Sequence, residues 1–379
     1  MKQVSKPKGR SYTMKKRMLS ILCLVLCMVL VLPVAGATTA DTSAADAIME
    51  GVGAVNFTVM HTGDTNGIMA GDAEAIGFSK VATLTLDRAY DHATLLVDSG
   101  NALAGDAEKV IHVMENAQYT AAAIGTRDAA LGIEKLQQLD AQSNFPLLCA
   151  NWLKMDGELF WDPYMIVEVD RMKVGIIGLI NPDIAEMYPE VTEGCNVYDP
   201  AAIANIYYEE MVQQGCTYFI ALTSLGYEGK YTPRYLGYNC PWINLVLDSN
   251  VTEETVLDMG ELAAENSSVV IFNLQDNFRQ MGELDITTGT ADGMNTLLPN
   301  VYTADQMSNV PDNEHVLFVL NDTEVSPDAE VTEGENGATV TVEKESNNTA
   351  LLYMLCFAAI IAATAGIIVF IMKKPAKKK

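Results

Sequence analysis

The stretch Phe57-Thr-Val-Met-His-Thr-Gly-Asp-Thr-Asn-Gly67 constrains the fold more than any other part of the chain. Its first half is a run of β-branched and aromatic residues with no break, as in a buried strand. Its second half is a polar loop that holds Asp64 between Gly63 and Gly67. Open α/β sheets carry their chemistry where strands end in such loops, at the carboxyl edge. Whether the later loops bring catalytic groups to that edge decides what the chain can do.

The pattern downstream supplies the rest of a sheet. Apolar segments at 94–98, 121–124, 145–151, 217–223, 243–248, 269–272 and 281–286 read as strands. Helical periodicity falls at 70–86, 106–117, 133–142 and 200–214. Residues 164–170 and 173–179 predict a hairpin turning at Arg171-Met172. Alternating strands and helices, with several strands apolar throughout, define an α/β domain whose sheets are covered on both faces. Residues 54–290 suffice to bury roughly 70% of their unfolded surface without a partner. Residues 316–320 read as one last strand. Beyond them, 321–349 is acidic and rich in Thr, Asn, Glu and Gly, so 291–349 is expected to be an extension and an acidic stalk.

Two apolar segments flank this body. Residues 18–32 follow Met14-Lys-Lys-Arg17 and lead into small residues at 35–40. That is the layout of a secretory signal, giving a signal peptide and short arm over 1–40 and a mature arm over 41–53. Residues 350–372 carry no charge and are long enough to span a bilayer; Lys373-Lys-Pro-Ala-Lys-Lys-Lys379 follows at once. Basic flanks stay in the cytoplasm. The expected topology is therefore a single-pass cell-membrane protein with its body outside and residues 373–379 as a cytoplasmic tail.

Charge sharpens the contrast. Of 24 basic residues, 12 lie before residue 37 or after residue 372, where no acidic residue lies. The part between has 12 basic against 49 acidic residues, a balance of -37. That disfavours nucleic acid and other polyanions as partners. Outside the terminal apolar segments remain Cys149, Cys195, Cys216 and Cys240, without metal-site spacing. Cys149 sits in an apolar run and reads as a core thiol. One disulfide among the others is open in an oxidising compartment, and the sequence does not fix the pairing.

The strand-end loops are His61-Thr-Gly-Asp-Thr-Asn-Gly67, Asp98-Ser-Gly-Asn101, Gly125-Thr-Arg-Asp128, Thr223-Ser-Leu-Gly-Tyr-Glu228 and Asp248-Ser-Asn-Val-Thr252. Their order and spacing resemble the 5'-nucleotidase branch of the calcineurin-like metallophosphoesterases, with its motifs HTNDxHG, DxGD, GNHEFD, SHLG and GHSH. The resemblance covers about 54–290 and leaves out that family's C-terminal nucleotide-binding domain. It implies a four-layer αββα sandwich. It also implies two divalent metals at the strand ends, which activate water to hydrolyse phosphate esters.

On that resemblance the ligand positions are mostly altered. Asp64 is kept, but Asn66 stands for a His, Asn101 for the bridging Asp and Thr126 for an Asn. Ser224, Asn250 and Thr252 each stand for a His, and Arg127 takes the place of the catalytic His. A neutral amide cannot offset metal charge as a bridging carboxylate does, and hydroxyls are poor ligands for transition metals. Neither His92, His112 nor His315 lies where it could replace the lost imidazoles, and His61 is not a ligand in the family. An Arg at 127 would repel two dications and could instead pair with Asp64, filling the emptied site. The bland alternative is a solvent-facing Arg127.

Weaker signals complete the reading. Asp64, Asp98 and Asp128 form an oxygen-only set that could suit Ca²⁺ or Mg²⁺. Gly51-Val-Gly53 and Gly175-Ile-Ile-Gly178 are too sparse for phosphate loops. Tyr227, Tyr231, Tyr235, Tyr238 and Trp242 form either a binding rim over the old cleft or the ordinary packing of a long loop. The sequence thus points to a membrane-anchored, catalytically inactive phosphoesterase-like domain. It would need no cofactor and would bind a small ligand or a surface protein. The alternative is a divergent 5'-nucleotidase or phosphoesterase using Mn, Zn, Mg or Ca. A third reading makes the domain a spacer.

Overall fold

The computed structural model describes residues 54–250, 256–258, 269–289 and 296–321. The expected signal peptide and arm, the acidic stalk beyond 321, the apolar segment 350–372, the basic tail and Thr252 lie outside the described residues. No helix among the described residues is long and apolar enough to cross a membrane.

Two six-stranded sheets pack face to face. The first has the order β14-β13-β1-β2-β3-β4. Its strands are β1 (Val55–Thr62), β2 (Ala93–Asp98), β3 (Ala121–Ala123), β4 (Leu147–Leu148), β13 (Gln280–Thr288) and β14 (Thr296–Thr303). Strands β1 to β4 run parallel; β13 is antiparallel to β1 and to β14. The second sheet comprises β6 (Tyr164–Val169), β7 (Met172–Ile180), β9 (Cys216–Ser224), β10 (Leu245–Asp248), β11 (Val256–Asp258) and β12 (Val270–Asn273), in the order β11-β12-β10-β9-β7-β6. Strands β5 (Trp152–Lys154) and β8 (Cys195–Val197) form a separate ribbon.

Side-chain alternation builds three cores from these sheets. Val55, Phe57 and Val59 of β1 face the second sheet, where Tyr218, Ile220 and Leu222 of β9 meet them. Phe57 and Tyr218 touch edge to face, with centroids 5.4 Å apart. Met60 and Leu96 point the other way, to the helices α1 (Phe78–Asp91), α2 (Ala107–Asn116) and α3 (Ile133–Gln142). Phe219 and Ala221 point outward from the second sheet to α4 (Pro200–Gln213) and α5 (Pro233–Asn239). This double burial makes the strands apolar on both faces and gives the four-layer αββα sandwich.

Several boundaries differ from the sequence expectations. Helix α1 starts at Phe78, not at 70, because Gly77 before it has φ 79°, outside helical space. Residues 70–76 form a loop in which Asp72 accepts from the backbone N–H of Glu74 and Ala75. The strand expected at 145–151 shrinks to β4, because the chain then leaves for the second sheet: Ala150 N–H donates to the Gly178 carbonyl at 2.8 Å. Residues 316–320 are not a strand. They lie in a helix, α6 (Glu314–Asn321), capped by Asn313, whose side-chain oxygen accepts from the His315 and Val316 N–H groups.

The folded unit therefore continues beyond residue 290, where the sequence reading ended it. Strand β14 extends the first sheet, and Val316 of α6 is fully buried against the α1–α2 layer. Lys80 Nζ donates to the Val310 carbonyl and Lys109 Nζ to the Leu320 carbonyl. Cys149 is a buried free thiol, as its apolar run suggested, and the disulfide left open among Cys195, Cys216 and Cys240 is not formed, all three being free thiols. Burial pushes Cys149 and Cys240 up to about 12.

Gly175 and Gly178 lie inside β7 and serve close packing, in agreement with their being no phosphate loop. A Cβ on Gly178 would come within 2.3 Å of the Leu148 carbonyl oxygen, which is backbone and cannot swing away. Gly178→Ala should therefore cost about 1–3 kcal/mol or more through overpacking. A lowered midpoint in urea unfolding, with unchanged slope, checks it; an unchanged midpoint would show that the two sheets slide apart freely there.

Candidate functional site

The loops after β1, β2, β3, β9 and β10 meet at one edge of the sandwich. The first two are zipped by backbone bonds: Asp64 N–H to the Gly100 carbonyl at 3.0 Å, Asn66 N–H to Asn101 at 2.8 Å and Gly67 N–H to Ala102 at 3.0 Å. This zipper needs left-handed backbone, with φ 51° at Asp64 and Asn66 and 63° at Asn101, and Asn250 in the loop after β10 has φ 73° as well. Asp and Asn tolerate that region better than other non-glycine residues.

Asp64 lies at the centre and is only 1% exposed. Its Oδ1 accepts from Asn101 Nδ2 at 2.7 Å, and its Oδ2 accepts from the Asn250 N–H at 2.7 Å. Arg127 Nη1 lies 3.5 Å from Asp64 Oδ1 and donates to Asn66 Oδ1 at 2.7 Å. The Arg127 backbone N–H donates to Asn101 Oδ1 at 2.8 Å. Thr126 N–H donates to Ser224 Oγ at 3.0 Å, and the two hydroxyls are 3.1 Å apart. Of the positions singled out in the sequence, Asp64, Asn66, Asn101, Thr126, Arg127, Ser224 and Asn250 thus come together. Arg127 is turned inward and pairs with Asp64, its shortest bond going to Asn66.

Three further carboxylates support these loops from beneath. Asp128 accepts from the N–H groups of Asn101, Leu103 and Gly125, each at 2.8 Å. Asp98 accepts from the Thr62 hydroxyl at 2.6 Å and from Gly100 N–H at 2.8 Å. Asp248 accepts from the Thr223 hydroxyl and from the N–H groups of Leu225 and Gly226. Burial pushes Asp98 up to about 8, Asp248 to about 7 and Asp128 to about 6, against the pull of these donors. Their oxygens hold the loops in shape, so Asp98 and Asp128 do not form an oxygen-only cation cage with Asp64.

The aromatic residues divide. Tyr227 is at the strand ends, where its hydroxyl donates to Asn273 Oδ1; Asn273 Nδ2 donates to Asp248. Trp242 does not belong to a rim. It is 3% exposed, stacked on Tyr208 at 4.5 Å, and donates from Nε1 to Asn205 Oδ1. Tyr231 and Tyr235 pack edge to face under Lys230, and the Tyr235 hydroxyl donates to Asp199, the cap of α4. They fasten the loop to the helix layer. Tyr238 is exposed on α5.

Sequence reasoning missed Asn277, whose Oδ1 accepts from Asn66 Nδ2 at 3.1 Å. It also missed Phe278, whose carbonyl accepts from Ile76 N–H. Both have positive φ, in a turn directly after β12. Asp276-Asn277 behind an apolar strand is the usable turn signal.

On the family resemblance, these loop ends are where two metal ions would sit. The residues present do not fit two ions. The oxygens of Asp64 accept from an amide and a backbone N–H, the Asn66 oxygen accepts from the Arg127 guanidinium, and the Asn101 oxygen accepts from the Arg127 backbone N–H. Among the described residues no group of three or more His, Cys, Asp or Glu side chains is placed to hold a metal ion.

No family model matches the chain. It is 26% identical over 211 residues to the trifunctional nucleotide phosphoesterase protein YfkN of Bacillus subtilis, covering 46% of this chain and 14% of that protein. It is 28% identical over 202 residues to a 5'-nucleotidase of Vibrio cholerae, covering 49% of this chain and 36% of that one. The crystal structure of calcineurin-like phosphoesterase YfkN from Bacillus subtilis superposes with a TM-score of 0.62 at 21% identity, over 70% of this chain and 96% of that chain. The two relatives are named as nucleotide phosphoesterases and share no more than 28% identity with this chain, which supports the resemblance to the 5'-nucleotidase branch, and the structural likeness at 21% identity shows the fold. The match spans about a third or less of the length of these two curated relatives.

His61 gives the site a pH signature. It is fully buried between the sheets, with Nε2 2.9 Å from Ser99 Oγ and Nδ1 without a partner. Burial lowers it from 6.5 to about 3, so it is neutral in the fold. The unfolded chain takes up this proton below pH 6.5, so stability present above 6.5 is lost as pH falls toward 3, by at most about 1.4 kcal/mol per pH unit. The buried aspartates act in the opposite sense, since their raised values favour the fold as pH falls. The difference between wild type and His61→Asn isolates the histidine: unfolding midpoints from pH 7.5 to 4.5 should show a shallower acid decline in the variant, and parallel curves would remove His61 as the cause.

Proposed function

We propose that this is a catalytically silent 5'-nucleotidase-like domain, held at the cell surface by the apolar segment 350–372, which acts by binding a ligand or a partner protein. The observation that carries the reading is Arg127. At the position that the family resemblance assigns to the catalytic His, its guanidinium donates to Asn66 and lies 3.5 Å from buried Asp64. A fixed cation there opposes the entry of dications. It also leaves no imidazole to donate a proton to a leaving alkoxide. The balance of -37 outside the termini adds support, since it disfavours phosphate esters as ligands in the absence of metal. Anchoring rests on the length of 350–372 and its basic flank.

A second reading has its own support. The relatives' names favour a divergent nucleotide phosphoesterase that uses a divalent metal, and they support it at the level of the family. Under that reading the residues 64, 66, 101 and 127 would have to rearrange before a metal could enter.

The two readings part in one experiment. The full chain is purified, incubated with Mn²⁺, Zn²⁺, Mg²⁺ or Ca²⁺, and assayed for bound metal and for hydrolysis of AMP and of a generic phosphodiester. The expected result is metal well below one ion per chain and no turnover above the blank. Stoichiometric metal with turnover that Asp64→Ala abolishes would establish the hydrolase instead.

A further inference from the structure

We infer that Arg127 is a built-in cation that does the structural work of the ions for which this site no longer fits, so that the strand-end loops are locked without metal and positions 64, 66, 101 and 127 act as one coupled unit. The bonds join all five strand-end loops. Arg127, from the loop after β3, reaches Asn66 after β1 through Nη1 and Asn101 after β2 through its backbone N–H. Asp64 continues the chain of bonds to Asn250 after β10, and Thr126 to Ser224 after β9, so both sheets are tied.

Charge logic makes the residues interdependent. Asn101 presents its amide nitrogen to Asp64 at 2.7 Å and its oxygen to the Arg127 N–H at 2.8 Å. A carboxylate at 101 would keep the second bond but set two negative groups against each other, to be relieved by added cations or by a proton held on one of them. The neutral amide and the fixed guanidinium therefore belong together. Asp64 is 1% exposed, so its charge needs a partner inside the site, whereas the Arg127 side chain keeps 37% of its surface open to water, which screens the pair from that side. The inference deepens the silent-domain reading, yet the mutational arm below tests it whatever the domain's activity.

The test measures thermal unfolding of the full chain. The wild type is compared in chelator and with added Mn²⁺ or Zn²⁺. Arg127→Met, Asp64→Asn and the double variant then form a cycle, with Arg127→Lys as a milder change that keeps the charge. The expected results are a wild-type midpoint that moves by less than ~1 °C with metal or chelator, and a fall of about 5 °C in Arg127→Met. The double variant should lose clearly less than the sum of the singles, and Arg127→Lys should fall between wild type and Arg127→Met. A wild-type midpoint that climbs by several degrees with stoichiometric metal would overturn the inference. So would additive single effects; if Arg127→Met does not fold, a wild-type midpoint for Arg127→Lys in the same cycle with Asp64→Asn would do so. Turnover with bound metal would sink the silent reading, whereas additivity without any metal response would sink this inference alone.

Discussion

The burial of Asp64 is the constraint on which the edge of the sandwich depends. A carboxylate that is 1% exposed requires donors and positive charge close by. Here the donors come from Asn101 Nδ2 and the Asn250 backbone, and the charge from Arg127. Each lies on a different loop, so satisfying one carboxylate fixes the relative position of four strands. Asp128, Asp98 and Asp248 do the same one layer lower, each accepting from two to four N–H or O–H groups of these loops and strand ends. The carboxylates of this region are scaffold as much as site.

Backbone conformation explains why the motif skeleton is kept while most of the residues that the resemblance expects as ligands are exchanged. Asp64, Asn66, Asn101 and Asn250 all have positive φ. Asparagine is well suited to that region because its short amide bonds locally and its steric penalty is small. At three positions where a metal centre asks for His or Asp, this chain holds the residue that keeps the turn and gives up the ligand. Gly67 is required for another reason: a Cβ there would come within 2.2 Å of the Ala104 carbonyl oxygen. The spacing of the motifs is thus enforced by loop geometry.

How much could be read in the sequence follows from the range of the interactions. Strands β1, β7 and β9 were legible because both faces are buried and their apolar runs are unbroken. Helix α3 was legible from local periodicity, its bounds falling at Ile133–Gln142. Helix α6 was not: Val316-Leu-Phe-Val-Leu320 is apolar all round, so periodicity gives no sign, and its cap Asn313 was the overlooked cue. Trp242 lay in an aromatic-rich loop, and only the register of α4 against the sheet decides that its indole stacks on Tyr208. The convergence of seven site positions was readable through the family resemblance alone. The contact with Asn277, 211 residues from Asn66 in the chain, carried no local signal.

Under the proposed reading, likeness of fold and identity of chemistry separate at this site for a physical reason. The resemblance to phosphoesterases rests on strands and glycines that any protein with this sandwich must keep, whereas activity rests on a handful of donors that the sandwich does not need. Hydrolysis of a nucleotide needs positive charge at the strand ends to hold a phosphate and to stabilise the charge that develops on its oxygens. The described cleft offers one guanidinium, already directed at Asn66 and Asp64, above three more buried carboxyl groups. Raised affinity for protons in Asp98, Asp248 and Asp128 lessens that negative charge and supplies no positive charge in its place. Under the proposed silent reading, a ligand suited to such an edge is neutral or cationic, or is a protein surface that meets the loops by shape, and the acidic body around it favours the same choice.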